Sequence, residues 1–163
     1  MASEDTLAVI TPLSNEPGTA AFATLDTRNS HTVLDFDDTT AENAIFKGIM
    51  PNNYAGGGVT VIPHVATTSG TAGTVVMCAA FESVGTALDI DADSFAGTLN
   101  GTIVVPATTG LLGTIGIGFS DGAAMDSLAV GQSFRLKVGR LPADAEDSLV
   151  GDAELYAVEI KET

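Results

Sequence analysis

From Phe22 to Ile160 the chain returns again and again to one pattern, a run of about five to nine residues in which apolar and polar side chains alternate, closed by Gly, Pro, Asn, Asp and Thr. Alternation of period two places successive side chains on opposite faces of an extended strand, and the closing residues are those that turn a chain back on itself. The pattern predicts strands at Phe22–Leu25, Val33–Phe36, Ala44–Met50, Val59–Val65, Thr74–Glu82, Gly101–Val105, Leu112–Phe119, Ser133–Val138 and Ala153–Ile160. In Ser133–Val138 the split is cleanest, with Phe134, Leu136 and Val138 on one face and Arg135 and Lys137 on the other. Many short strands with one apolar face each are covered only by a second sheet, so the expected fold is a single-domain, all-β antiparallel sandwich of jelly-roll type over residues 21–163. Residues 1–20 precede it as an N-terminal arm. Within the arm, Leu7–Ile10 is either a segment that docks on a partner or the first strand of the sandwich itself. One short helical turn is expected from Asp121, as cap, through Leu128, with Gly131 as its stop.

A chain of 163 residues is long enough for one core and has no linker that would divide it. Its 21 acidic residues against 6 basic ones give a formal net charge of −15. That field repels phosphate backbones and anionic lipid, so nucleic acid and membrane are excluded as partners. The single cysteine, Cys78, rules out an intrachain disulfide. Acid at Glu4 and Asp5, where a secretory signal carries basic residues, points to synthesis in the cytoplasm.

Two segments break the simple alternation. In Thr74–Glu82, Val75, Met77, Ala79 and Phe81 face one way while Val76, Cys78 and Ala80, also apolar, face the other. In Val59–Val65 the second face holds Thr60, Ile62 and His64, and Pro63 pushes the strand toward an edge or a bulge. If the two strands pair, Thr60, Ile62, His64, Val76, Cys78 and Ala80 form one apolar patch outside the core, and a patch of that kind is expected to be covered in a homotrimer.

Residues able to do chemistry are few. His31 and His64 lie about 33 residues apart in different elements, with no metal-ligand spacing between them. Cys78 stands among apolar neighbours that keep a thiol inert. Gly56-Gly57-Gly58 lacks the lysine and helix of a phosphate loop. Asp89, Asp91 and Asp93 alternate as cation ligands do, yet Ser94 and Asn100 occupy the places where an EF-hand loop needs Gly and Glu. They are the metal candidate in the chain, against a plain solvated loop. The cluster Asp35-Phe36-Asp37-Asp38 has no aromatic platform of the kind sugar-cleaving sites use, and no Trp occurs. The expected protein is therefore not an enzyme and carries no cofactor.

The stretches Phe22-Ala23-Thr24-Leu25-Asp26-Thr27-Arg28-Asn29, Val33-Leu34-Asp35-Phe36-Asp37, Met50-Pro51 through Tyr54-Ala55-Gly56-Gly57-Gly58, and Met125 through Gly131 followed by Phe134-Arg135-Leu136 resemble small tailed-phage virion proteins with a jelly-roll fold. The resemblance spans most of the chain after about residue 20 and carries strand and turn signatures, with no catalytic residue to transfer. It implies a head decoration or cement protein, trimeric, bound to the major capsid protein on the outer surface of the virion. Leu7, Val9 and Ile10 are the residues expected to bury against that partner by adding a strand to its sheet. The alternative it implies is a receptor-binding or fibre-tip module that recognises a host surface glycan.

Overall fold

A computed structural model of the chain describes residues 4–16 and 18–163. Its strands are β1 (Thr6–Ile10), β2 (Asn15–Glu16), β3 (Thr24–Arg28), β4 (His31–Phe36), β5 (Asn43–Ile49), β6 (Val59–Thr67), β7 (Thr74–Val84), β8 (Leu99–Val104), β9 (Gly113–Thr114), β10 (Ile117–Phe119), β11 (Ser133–Arg140) and β12 (Ala153–Glu162). They pair antiparallel into two sheets. The seven-stranded sheet runs β10-β6-β12-β4-β3, with β1 added to β12 and β9 to β6, and the five-stranded sheet runs β2-β5-β11-β7-β8. The expected all-β sandwich is the fold observed.

The core lies between the sheets and is filled by the alternate residues that the pattern singled out. Leu34 and Phe36 from β4, Phe46 from β5, Phe81 from β7, Phe119 from β10 and Phe134 and Leu136 from β11 are all fully buried. Phe81 meets Phe119 edge-on with ring centroids 5.0 Å apart and Phe134 at 5.6 Å, the geometry that aromatic quadrupoles prefer. Gly48, opposite Phe134 in the β5–β11 ladder, leaves the space its ring occupies, since a Cβ there would stand 2.5 Å from Phe134 Cζ.

Four expectations are corrected. Leu7–Ile10 is not a free arm: β1 pairs with β12, Val9 opposite Glu159 and Ile10 opposite Val158, and Ile10 is in the core. A strand that can satisfy its backbone groups on its own sheet does so without a partner. Residues 1–3 and 17 of the predicted arm lie outside the described residues. The turn after Asp121 is a three-residue 3-10 turn, Ala123–Met125, that Asp121 does not cap; Gly122 precedes it at φ 93°, and the Asp121 carboxylate instead accepts the Tyr54 hydroxyl at 2.9 Å. Leu112–Phe119 splits into β9 and β10, and their gap falls opposite Ile62 and Pro63 of β6, so the residue without an N–H sits where the ladder is interrupted. Lastly, β6 and β7 belong to different sheets, so the patch imagined between them does not exist.

Two irregular segments fold back over the five-stranded sheet. One runs from residue 141 to residue 152 and is fixed by Arg140, which is wholly buried. Its Nε and Nη2 donate to the two Asp147 oxygens at 3.1 and 2.8 Å, and its remaining donors reach the carbonyls of Leu149, Gly151 and, in the seven-stranded sheet, Phe36 at 2.9, 2.8 and 3.4 Å. Asp147 also accepts the Val76 amide, and the Thr102 hydroxyl donates to Glu146 at 2.6 Å. The second segment, residues 85–98, lays Phe95 over Arg135 and Lys137, whose charged ends stand 5.1 and 4.9 Å from the ring centre.

Candidate functional site

The outer face of the seven-stranded sheet is left partly open: Val33, Ala66 and Glu154 are buried on it, while Thr60, Ile62 and His64 are half-buried. Antiparallel partners share a face, so Arg28 and His31, Asp26 and Val33, and Asp35 and Glu154 all point outward from β3, β4 and β12. Beside them β12 carries a bulge between Leu155 and Ala157. The extra residue is Tyr156, which stands 39% exposed on this face. The loop that precedes β9 brings Thr109, Gly110, Leu111 and Leu112 alongside, and the whole encloses an open groove of about 460 Å³ lined by Arg28, Asn29, His31, Val33, Ala66 and Tyr156 together with that loop. The His31 and Tyr156 rings meet at 5.8 Å and 61°, edge toward face. Leu111 and Leu112, 56% and 42% exposed, supply the apolar side.

Arg28 is held in place from behind. Its Nη1 donates to the Thr67 carbonyl at 2.8 Å and to Glu154 at 2.6 Å. Its Nε and Nη2 face Gly110, close enough that a Cβ on that glycine would lie 3.2 Å and 3.4 Å from them. Gly110 adopts φ +88°, so a glycine serves both the turn and the space. Asp35, across from Glu154, has its carboxyl raised to about 6, first by burial and then by the charges of Glu154, Asp26 and Asp152.

The residues singled out in the sequence lie elsewhere or apart. Thr60, Ile62 and His64 are half-buried on the open face, with His64 Nε2 3.9 Å from Glu159. Val76, Cys78 and Ala80 are on the outer face of the other sheet, and they are buried by the chain's own segments, which removes the reason for placing a subunit interface there. Burial pushes the Cys78 thiol up, in keeping with an inert cysteine. Leu7 is half-buried and Val9 exposed, both on the strand that pairs with β12. Asp89, Asp91 and Asp93 do not converge: Asp89 accepts the Asp91 amide at 3.0 Å and Asp93 the Ser94 amide at 2.9 Å, so local turns use their oxygens. The acids that do approach one another are Asp37, Asp38 and Asp152, with one oxygen of each within 4.8 Å of the others. Asp37 accepts the amides of Thr39 and Thr40 and the Thr39 hydroxyl, which lowers it to about 2. Asp38 accepts the Gly151 amide at 2.8 Å, so the trio ties two loops together.

Sequence reasoning passed over Arg28, Tyr156, Leu111 and Leu112 as a group. One signal was present. In Ala153–Ile160 the buried positions change phase, from Ala153 and Leu155 to Val158 and Ile160, and a phase change inside a strand marks a bulge at Tyr156–Ala157.

No family model matches the sequence, and no curated protein is significantly similar to it. Among solved structures, the family 30 carbohydrate-binding module of a Clostridium thermocellum cellulosomal cellulase aligns over 98% of this chain and 96% of its own at 8% identity, with a TM-score of 0.46. The family 11 module of another cellulosomal cellulase of that organism aligns over 99% and 96% at 9% identity, also at 0.46. A Cellvibrio japonicus xylanase solved with xylopentaose aligns over the whole of this chain and 28% of its own at 9% identity and 0.44, so the chain spans under a third of that enzyme. None of these alignments reaches a depth at which function transfers, and the chain's own residues decide its role.

Proposed function

We propose that the chain is a non-catalytic binding domain whose open-face groove takes a glycan. The observation that carries this reading is the pairing, in one groove, of an exposed ring, Tyr156, with a guanidinium, Arg28, that is fixed from behind and turns free donors outward. A sugar presents C–H bonds on one face and hydroxyls at its rim, so a ring to lie on and rigid donors beside it are the two things its recognition needs. Sugar cleavage works through a pair of carboxylates, and none of the described residues that line the groove carries a carboxylate. In the setting that the resemblance to tailed-phage proteins implies, such a domain is a receptor-binding or fibre-tip module on the virion, weak as a single site and strong when many copies act together. Electrophoresis through gels that contain neutral polysaccharides tests it: retardation of the wild-type protein that is lost on Tyr156→Ala is expected, and equal mobility in every gel refutes the reading.

A second reading is favoured by the apolar side chains left exposed near the start of the chain, Leu13 at 73%, Leu25 at 55% and Phe22 at 47%. Here the domain is a decoration protein, a trimer seated on the major capsid protein at the outer surface of the head, where a charge of −15 keeps a crowded surface soluble. Counting its copies per virion by mass spectrometry separates the two, hundreds for decoration against a handful for a fibre tip.

A further inference from the structure

Arg28 offers the groove one edge of its guanidinium and withholds the other. Both hydrogens of Nη1 are used, on the Thr67 carbonyl and on Glu154, which is itself 6% exposed. Nε–H and the neighbouring Nη2–H make no hydrogen bond among the described residues and lie beside Gly110, whose lack of a Cβ leaves their edge clear. These two parallel donors form the fork that pairs with two adjacent oxygen atoms. We propose, resting on the glycan reading of this groove, that the Nε–Nη2 edge of Arg28 reads a vicinal pair of hydroxyls on a neutral sugar ring that lies against Tyr156.

Two adjacent oxygens also occur in a carboxylate, and charge decides between the ligands. Glu154 already balances Arg28 at 2.6 Å, and on the same face Glu154, Asp26 and Asp152 all lie near enough to raise the Asp35 carboxyl. Glu154 therefore neutralises the one guanidinium, in a chain of net charge −15, and a ligand with its own negative charge enters against that field. A neutral diol enters freely. Its hydroxyl oxygens accept from Nε–H and Nη2–H, and both partners keep their protons.

The test is a proton–nitrogen correlation spectrum of labelled protein, in which the Arg28 Nε–H signal is identified by its absence from Arg28→Lys. The protein is titrated with hexasaccharides of glucose, mannose, galactose and N-acetylglucosamine, and with hexagalacturonate. A neutral hexasaccharide is expected to move the Arg28 Nε–H and Tyr156 ring signals, with hexagalacturonate at least about tenfold weaker. Arg28→Lys keeps the charge and loses the fork, so its affinity falls about tenfold or more. Gly110→Ala sets a methyl against the free edge, and it weakens binding as well, with the Arg28 Nε–H signal of the unliganded variant showing whether the guanidinium keeps its place. Should a neutral sugar move the Tyr156 ring while Arg28→Lys and Gly110→Ala bind as wild type does, the assignment to Arg28 is wrong and the groove reading stands. Tighter binding of hexagalacturonate overturns the neutral-diol assignment. No shift at either residue with any of the sugars overturns both.

Discussion

The two outer faces of this sandwich begin from similar strands and end differently. On the five-stranded sheet, Val76, Cys78 and Ala80 are as buried as the core itself; Asp147 of segment 141–152 accepts the Val76 amide, and Phe95 of segment 85–98 lies over Lys137, the partner of Ala80 in the β7–β11 ladder. On the seven-stranded sheet, the equivalent positions of β6 are Thr60, Ile62 and His64, only half-buried, and next to them lies a groove with a ring and a fixed cation. The five-stranded sheet is held by charge pairs on both faces, the buried Arg140 with Asp147 at the end of the core face and Arg135 with Glu82 at 3.2 Å on the outer face. On the open face three of the five Arg28 N–H donors make no hydrogen bond among the described residues. A face sealed by its own chain serves stability, and a face left open with oriented polar groups serves recognition.

The largest effect is expected where the cover is fastened. Arg140→Ala leaves Asp147 buried without its counter-charge and should cost about 3–5 kcal/mol in urea unfolding, with Cys78 becoming reactive toward thiol reagents as the segment lifts. Val76→Asp puts a carboxylate under the same cover, beside Asp147, and should cost about 3 kcal/mol. If it instead left the protein folded and merely changed its oligomeric state, the cover would not be what buries Val76.

A smaller effect belongs to Asp35 on the open face. Its carboxyl is raised from 3.8 to about 6, first by burial and then by Glu154, Asp26 and Asp152. The native chain therefore holds this proton more tightly than the unfolded chain does. Stability is highest while the group is protonated and falls as pH climbs from about 4 to about 6, by about 1–2 kcal/mol once its partial exposure to solvent is allowed for. Asp35→Asn should flatten that part of the stability curve. A decline of the same size in the variant would assign it to other groups.

The smallest effect is the counterpart of Val76→Asp. Ile62→Asp places the same charge on the open face and should change stability by less than about 1 kcal/mol, because water reaches it there.

The alternation was enough to read the fold because it reports a local property, which face of a strand is dry. Phe134, Leu136 and Val138 share the face predicted for them and are all buried. It also reported correctly that Val76, Cys78 and Ala80 need cover. What it could not report was the source, since the covering segments look like solvated acidic loops until Arg140 is seen to reach Asp147 and Phe95 to lie over Arg135. The groove was harder still, because it gathers the β3–β4 turn, the loop before β9 and a bulge in β12 from distant parts of the chain. Only the phase change around Tyr156 announced any part of it.

Hydrogen exchange with and without a bound neutral oligosaccharide puts the contrast between the faces to its most direct test. The account predicts added protection in His31–Val33, in residues 109–112 and in Glu154–Ala157, with β7 unchanged because the chain already covers it. Protection gained along β7 or at its covering segments, with none around Tyr156, would place recognition on the wrong face and contradict it.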